Sequence, residues 1–454
     1  MRRVLIANRG EIAVRIVRAC FDEGIESVLA VSDCDRDSLA AQLADRIVVI
    51  GPSSASDSYL SVDRIVAAAL FADCDAIHPG YGFLSERTDL VEACAENGVT
   101  FIGPPAEVMR RSGDKLTARR TANELGIPTG SGTAGLLTVE DALVAADELN
   151  DYPLLLKASA GGGGRGMTVI RSREDVQQHF SRSSNEAERA FGDGTIYLER
   201  YVEFARHVEV QIMADTHGNV CHLGERDCST QRRYQKLVEE APAVGLPQDL
   251  LERVRNAAVD LAKGLGYVGA GTVEFLVDTE RDDFVFLEVN ARVQVEHPVT
   301  EMVTGIDIVR EQLRVAQGLP LSFAQDEVTL DGHAIECRIN AEDARNNFLP
   351  RPGRIDHWVA PQGAGIRVDT YAFPGATIPP YYDSMIAKLI VHADTREDAI
   401  DLMGRALSKL RIEGVPTTVS LHSALMADKA FQHSPVTTKW LENEFLPTWE
   451  EQIS

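Results

Sequence analysis

The chain has 454 residues, of which 44% are hydrophobic and 25% are charged, as in a soluble globular protein of two or three domains. Its apolar stretches are shorter than the roughly 20 residues that a membrane helix needs, so we expect no membrane segment. The formal net charge of −24 at pH 7 excludes a nucleic-acid partner, because a phosphate backbone requires a basic surface.

Short apolar runs alternate with amphipathic segments over the first hundred residues. Strands are predicted at 4–7, 27–31, 47–50 and 76–77, and helices at 11–24 and 62–70. This alternation predicts a parallel, doubly wound sheet. The loop Asn8-Arg9-Gly10 follows the first strand and therefore lies at the carboxyl end of the sheet, where ligands bind. A tight turn that needs glycine explains the same loop without a ligand.

A glycine-rich segment at 160–166 lies between predicted strands at 153–157 and 167–170. The spacing of Gly161, Gly163 and Gly166 satisfies the dinucleotide fingerprint, but that fingerprint requires a helix after the last glycine. Because a β-type run follows instead, a nicotinamide oxidoreductase is disfavoured. We predict a hairpin flap that closes over nucleotide phosphates, with Lys157 supplying positive charge from the preceding strand. A floppy hairpin without a ligand is the alternative.

Antiparallel strands dominate from about residue 201, at 207–213, 219–223, 271–277 and 284–289. Glu274 and Glu288 lie among apolar strand residues, where an unpaired charge is costly. A turn at 279–283 would bring both carboxylates onto one face. With the amide oxygen of Asn290 they would suit Mg²⁺ bridging nucleotide phosphates. Salt-bridged structural acids are the alternative interpretation.

Three polar residues follow at alternating positions, and we expect them to share one strand face: Arg292, Gln294 and Glu296. A carboxylate base beside an arginine and an amide suits a small anion. Donors are also concentrated at 231–236, ahead of the pair Glu239-Glu240, and Arg338 in an apolar strand is expected to meet an anion. Structural ion-pair networks explain either feature equally well.

Several segments, in a fixed order along the chain, resemble biotin carboxylases: 7–13 (ANRGEIA), 78–86 (HPGYGFLSE), 113–115, the glycine flap, 225–229, 290–301 (NARVQVEHPVTE) and 379–385. The resemblance runs from residue 2 to about 445. It implies an ATP-grasp fold, of mixed α/β and α+β class. Its parts would be an N-terminal doubly wound (Rossmann-like) domain at 1–128, a small glycine-flap lid at 129–201 and a larger C-terminal domain at 202–454.

The resemblance also implies an activity. A biotin carboxylase uses ATP and bicarbonate, through carboxyphosphate, to carboxylate biotin on a biotin carboxyl carrier protein, and releases ADP and phosphate. This is the first half-reaction of an acyl-CoA carboxylase such as acetyl-CoA carboxylase. Here Glu296 would be the base that deprotonates bicarbonate. Arg338 would stabilise carboxyphosphate and then the enolate of biotin.

The remaining roles are likewise implied by the resemblance. The catalytic set is Arg292, Glu296, Lys236 and Arg338. Contacts to ATP are assigned to Lys115, Lys157, Gly163, Gly164, Glu199, Arg200, Val202, His207, Gln231, Tyr234, Glu274 and Glu288. Bicarbonate is assigned to Lys236, Arg292, Gln294 and Val295, and Mg²⁺ or Mn²⁺ to Glu274, Glu288 and Asn290. The family often has histidine where this chain has Tyr234, so we expect an altered ribose contact.

Partners are expected because the chain contains no Met-Lys-Met tripeptide of the kind that carries biotin. We expect a separate carrier protein, separate carboxyltransferase subunits and a homodimer, with no nucleic acid and no membrane. Seven scattered cysteines without a C-x-x-C pair favour a reducing cytoplasm.

Two alternatives remain. Another ATP-grasp ligase, such as a carboxy-aminoimidazole ribonucleotide synthase or half of a carbamoyl phosphate synthetase, should lack the 292–296 run followed by His-Pro-Val-Thr-Glu. A catalytically silent nucleotide-binding regulator or scaffold would not need the intact acids and arginines of that run.

Overall fold

The computed structural model describes residues 1–130, 132–133, 135–158, 167–191 and 193–453. The predicted alternation of strands and helices is confirmed in the first region. Its elements are β1 (Arg3–Ile6), α1 (Gly10–Asp22), β2 (Glu26–Ser32), α2 (Leu39–Leu43), β3 (Arg46–Gly51), α3 (Val62–Phe71), β4 (Ala76–His78), α4 (Thr88–Glu96), β5 (Thr100–Phe101), α5 (Ala106–Gly113) and α6 (Lys115–Glu124).

The five strands of this region form a parallel sheet in the order β3-β2-β1-β4-β5. The order reverses on either side of β1, so the loop from Asn8 to Gly10 lies at a topological switch point. Helix α1 buries Ile12, Ile16 and Cys20, which recur every four residues and therefore line one face of the helix.

The second region contains α7 (Val139–Leu149), β6 (Leu154–Ala158), β7 (Met167–Ile170), α8 (Arg173–Phe191) and β8 (Ile196–Arg200). The predicted hairpin is confirmed, since β6 and β7 pair antiparallel with Lys157 opposite Met167. Strand β8 pairs with the other edge of β6. The flap residues, including Gly163 and Gly164, lie outside the described residues.

The third region is built on an eight-stranded antiparallel sheet in the order β13-β12-β9-β10-β11-β14-β21-β19. In chain order its elements are β9 (Ala205–Ala214), β10 (Val220–Arg232), β11 (Gln235–Ala241), α9 (Gln248–Leu265), β12 (Gly269–Asp278), β13 (Asp283–Asn290), α10 (His297–Thr304), α11 (Ile308–Ala316), β14 (His333–Asn340), β15 (Glu342–Asp343), β16 (Leu349–Pro350), β17 (Gly353–Arg354), β18 (His357–Val359), β19 (Ile366–Thr370), β20 (Thr377–Ile378), β21 (Met385–Ala393), α12 (Arg396–Lys409), β22 (Arg411–Glu413), α13 (Val419–Ala427), α14 (Lys429–His433) and α15 (Leu446–Ile453), the last preceded by a π-helical turn at Leu441–Phe445.

The two faces of this sheet differ because side chains alternate along each strand. On β9, Val208, Val210 and Ile212 belong to an apolar core that includes residues of α9. The intervening His207, Glu209 and Gln211 point to the other face and are also buried. Burial of polar groups costs free energy unless the groups are paired. The concentration of buried polar side chains on this face therefore indicates a candidate functional site.

Each sheet falls inside one of the three predicted domains, whose boundaries at 128 and 201 stay a prediction. None of the described helices combines the length and the hydropathy needed to cross a lipid bilayer.

A buried ion pair in the large sheet gives a first prediction, on stability. Glu240 accepts hydrogen bonds from His333 (2.9 Å) and from Arg396 (2.6 and 3.0 Å). Burial opposes ionisation, but these two partners lower the pKa of Glu240 to about 2. The carboxylate therefore stabilises the fold above its unfolded pKa, and this contribution is lost as the pH falls toward 2.

We expect Glu240→Gln to cost roughly 3 kcal/mol at pH 7. The difference in free energy of unfolding from the wild type should shrink between about pH 5 and pH 2, measured by urea denaturation across that range. A difference that stays constant with pH would contradict the ionised pair.

Candidate active site

Lys236 lies at the centre of a cluster of buried carboxylates on the polar face of the large sheet. Its ammonium donates to Glu209 (2.5 Å), Glu296 (2.7 Å) and Glu274 (3.0 Å). Burial alone would favour the neutral amine, but the three carboxylates raise the pKa of Lys236 well above its usual value. The lysine is therefore a permanent positive charge at the base of the site.

Glu296 is held between two cations. Its second oxygen accepts a hydrogen bond from the Arg338 guanidinium at 2.8 Å, while the first faces Lys236. Burial would raise the pKa of Glu296, but Lys236 and Arg338 hold it well below its usual range. Arg338 also donates to Glu239 at 2.6 Å. Burial raises the pKa of Glu239 to about 7 even though Arg338 acts in the opposite direction.

The predicted strand face for Arg292, Gln294 and Glu296 is wrong. Strand β13 ends at Asn290, and residues 291–296 form a bend and turn that leads into α10 at His297. The reason is local: Pro298 occupies the first turn of the helix, and His297 caps the turn by bonding its Nδ1 to the Gln294 carbonyl at 2.7 Å. The turn still brings Arg292 to Gln294, whose side-chain oxygen accepts a hydrogen bond at 2.8 Å.

The side-chain amide of Gln294 provides a hydrogen-bond donor in this turn. Its side chain is buried, and its Nε2 has no hydrogen-bond partner among the described residues. A buried donor without an acceptor costs free energy, so such a group indicates a ligand. Arg292 is oriented beside it by Glu86 (2.8 Å) and Asn290 (3.0 Å). The cations and this amide could hold a small anion beside Glu296.

The predicted juxtaposition of Glu274 and Glu288 is confirmed, because the two residues are direct partners across β12 and β13. Glu274 accepts hydrogen bonds from His207 (2.9 Å), Lys236 (3.0 Å) and Asn290 (3.0 Å). Despite burial, Lys236 and His207 lower the pKa of Glu274. Two carboxylates and an amide oxygen on neighbouring strands form a hard-oxygen donor set, which fits Mg²⁺ or Mn²⁺.

The second region contributes charged groups from its own small sheet. The Lys157 ammonium lies 3.5 Å from Glu199, and Arg119 lies 3.7 Å from the other oxygen of that carboxylate. Lys157 is 40% exposed, so its charge remains available to a ligand. The side chain of Lys115 lies outside the described part of the chain.

Other residues assigned to ATP have different surroundings. The side chain of Arg200 forms ion pairs with Asp278 and with Asp151 (3.4 Å). Val202 and Gln231 are buried. Tyr234 occupies the two-residue turn between β10 and β11, with φ of +65°, and is 63% exposed.

A separate cavity of about 180 Å³ lies at the carboxyl end of β1, where the Asn8-Arg9-Gly10 loop was predicted to bind a ligand. Burial and Glu11 raise the pKa of Tyr81 in its wall well above the usual value, while the charge of Arg338 acts in the opposite direction. The cavity is lined by Asn8, Arg9, Gly10, Glu11, Tyr81, Gly82, Phe83, Tyr381, Tyr382, Asp383 and Met385.

Sequence reasoning missed Glu209 and Glu86, which hold Lys236 and Arg292 in place. The alternation of His207, Glu209 and Gln211 along a strand was the available signal for Glu209. Glu86 gave no such signal, since it is 206 residues away from Arg292 in the sequence.

Comparison with known proteins places this geometry in a family. The family model "Biotin carboxylase, N-terminal domain" matches residues 1–109, and "Biotin carboxylase C-terminal domain" matches 336–443. Between them, "Carbamoyl-phosphate synthase L chain, ATP binding domain" matches 114–324.

Three relatives match this chain over nearly their full length. Biotin carboxylase 1 of Bacillus subtilis is 50% identical over 443 residues, which cover 97% of this chain and 98% of that protein. The biotin carboxylase–β-γ-ATP complex from Campylobacter jejuni is 45% identical, with a TM-score of 0.89 and coverage of 97% and 98%. The biotin carboxylase domain dimer of Hydrogenobacter thermophilus 2-oxoglutarate carboxylase, in complex with MgADP, ADP and bicarbonate, is 46% identical, with a TM-score of 0.87 and coverage of 97% of both chains.

Proposed function

This chain belongs to the biotin carboxylase family and has its ATP-grasp fold, and we propose that it carboxylates biotin on a separate carrier protein with ATP and bicarbonate. The observation that carries the proposal is the position of Glu296 between Lys236 and Arg338, in the same turn as Gln294, whose buried Nε2 has no partner among the described residues. A base, two cations and a free donor are what bicarbonate activation requires.

Glu296 takes the proton from bicarbonate. The two cations that lower its pKa make it a weak base, so proton transfer depends on stabilisation of the carbonate that forms. Lys236 and Arg292, oriented by Glu209 and Glu86, supply that stabilisation. Gln294 and the Val295 backbone orient the oxygen that attacks the γ-phosphate of ATP.

ATP is held between the small sheet and the large one. Lys115, Lys157 and the flap glycines 163 and 164 neutralise and cover its phosphates, and the segment from Glu199 to Val202 faces the adenine. His207, Gln231 and Tyr234 lie toward the ribose. Glu274, Glu288 and Asn290 would hold a magnesium or manganese ion, which supplies charge neutralisation at the phosphates. Attack then yields carboxyphosphate and ADP.

Biotin enters through the cavity lined by Tyr81 and Asp383. Carboxyphosphate breaks down to CO₂ and phosphate, and phosphate removes the proton from the ureido nitrogen of biotin. Arg338 stabilises the enolate by charge-assisted hydrogen bonds. The nitrogen then attacks CO₂ to form carboxybiotin.

Two further proposals concern the class of holoenzyme to which the chain belongs and its oligomeric state. We assign the chain to an acyl-CoA carboxylase such as acetyl-CoA carboxylase, because Tyr234 at a frequent histidine position resembles that class. A homodimer is supported by the dimeric state of the Hydrogenobacter relative. Transfer assays with purified transferase subunits, offering acetyl-CoA, pyruvate and 2-oxoglutarate in parallel, test the first assignment. Sedimentation velocity tests the second.

The carboxylation itself is tested with labelled bicarbonate. Incubation of the chain with ATP, Mg²⁺ and a biotinylated carrier protein should place acid-labile label on the carrier. The unbiotinylated carrier is the control, and label on it, or none on either, would overturn the proposal.

The metal assignment gives a prediction for Glu288→Gln. Replacement of one charged ligand leaves the phosphate charge less compensated, so we expect a roughly tenfold higher Mg²⁺ requirement together with slower turnover. Additional Mg²⁺ or Mn²⁺ should restore part of the rate in a steady-state titration. The matched control is Glu203→Gln, at an acid that pairs with Arg171 outside this cluster. An unchanged metal requirement in Glu288→Gln would exclude this residue as a ligand.

A further inference from the structure

Lys388, on β21, is a buried lysine to which the reaction scheme gives no role. Its side chain is fully buried, and its ammonium donates to the Val295 carbonyl at 2.8 Å. A fully buried lysine is rare and needs compensating partners. Here one partner is the peptide group that joins Val295 to Glu296, so the lysine fixes the planar unit from which the base projects.

The positive charge of Lys388 is balanced by Glu11, a residue from the N-terminal region. Glu11, in the first turn of α1, lies 3.0 Å from the Lys388 ammonium and is itself buried. The hydroxyl of Tyr81, a wall residue of the cavity, donates to the same carboxylate oxygen of Glu11. The hydrogen-bonded chain thus runs from the cavity wall through Glu11 and Lys388 to the peptide before Glu296.

We propose that Lys388 and Glu11 are positioning residues for Glu296. Lys388 fixes the Val295–Glu296 peptide through its hydrogen bond to the Val295 carbonyl, and Glu11 connects Lys388 to the N-terminal region and to Tyr81 in the cavity wall. The inference rests on the proposed function. It requires that the pair act on bicarbonate activation more than on ATP binding, because within the described part of the chain neither side chain bonds to the residues assigned to the nucleotide. Misplacement of a reacting group by about 1 Å is enough to cost two orders of magnitude in rate.

The informative variant is the double substitution Lys388→Met with Glu11→Gln. Lys388→Met alone leaves Glu11 as a buried uncompensated charge and can fail to fold. The double variant removes both charges, and the amide oxygen introduced by Glu11→Gln can still accept a hydrogen bond from Tyr81. We expect kcat/KM for bicarbonate to fall about tenfold to a hundredfold, with the KM for ATP within about twofold of the wild type.

Arg396→Met is the matched control, since it also breaks an ion pair of low exposure, between Arg396 on α12 and Glu240 on the large sheet, away from the 292–296 turn. It should lower the melting temperature and leave both KM values unchanged. The inference is overturned if the folded double variant has the wild-type kcat/KM for bicarbonate, or if both KM values and turnover change together in proportion to lost stability. Failure of the proposed function is distinguishable, because the wild-type chain itself would then show no bicarbonate-dependent ATP cleavage.

Discussion

Glu296→Gln should lower the rate of biotin carboxylation by about two orders of magnitude or more. Glutamine has nearly the same shape, but its single side-chain oxygen can accept from only one of Lys236 and Arg338, which bond to different oxygens of Glu296, and it cannot accept the bicarbonate proton. The dissociation constant for ATP should barely change, because the residues assigned to the nucleotide keep their contacts. Single-turnover carboxylation and equilibrium ATP binding measure the two quantities separately.

Glu240→Gln is the matched control for that substitution. It makes the same chemical change at a buried, cation-paired glutamate of the same sheet, but its partners are His333 and Arg396. It should lose stability and keep its turnover per folded molecule. If Glu296→Gln carboxylated biotin at near the wild-type rate, Glu296 would have to be regarded as a structural acid.

Arg338→Lys should separate the two halves of the reaction. The guanidinium reaches Glu239 and Glu296 at once, and a lysine keeps the charge but loses the planar fork. If Arg338 mainly stabilises the biotin enolate, the variant should lose most biotin carboxylation while keeping measurable bicarbonate-dependent ATP cleavage. ATP use would then be uncoupled from product.

The competing explanation is that Arg338 only neutralises its two acids. In that case both activities would fall together, in step with a lower melting temperature. Phosphate release, carboxybiotin and thermal unfolding should be measured on one preparation of the variant. Parallel loss of both activities with destabilisation would exclude the enolate role.

Short-range patterns made much of the fold predictable. The β-type run at 167–170 was enough to predict a hairpin instead of a dinucleotide-binding helix, and β6 and β7 pair accordingly. Two acids in apolar runs around one turn predicted a shared face for Glu274 and Glu288, which are direct partners across β12 and β13. Both cases depend on contacts between neighbouring strands, which side-chain alternation and turn residues specify.

Other parts of the site depend on contacts that alternation does not encode. The same alternation suggested a strand at 292–296, but the proline and histidine at the start of α10 impose a turn there. Glu86 reaches Arg292, and Glu11 reaches Lys388, only because the N-terminal region packs on the large sheet. A single sequence shows the residue types in such long-range pairs but not their partners.

The most direct test of the central claim is steady-state phosphate release from ATP by the purified chain, with and without bicarbonate and with and without free biotin. We predict slow release that requires bicarbonate, stimulation of that release by biotin, and formation of carboxybiotin with each additional phosphate. A rate of ATP cleavage that is independent of both bicarbonate and biotin would contradict biotin carboxylase activity.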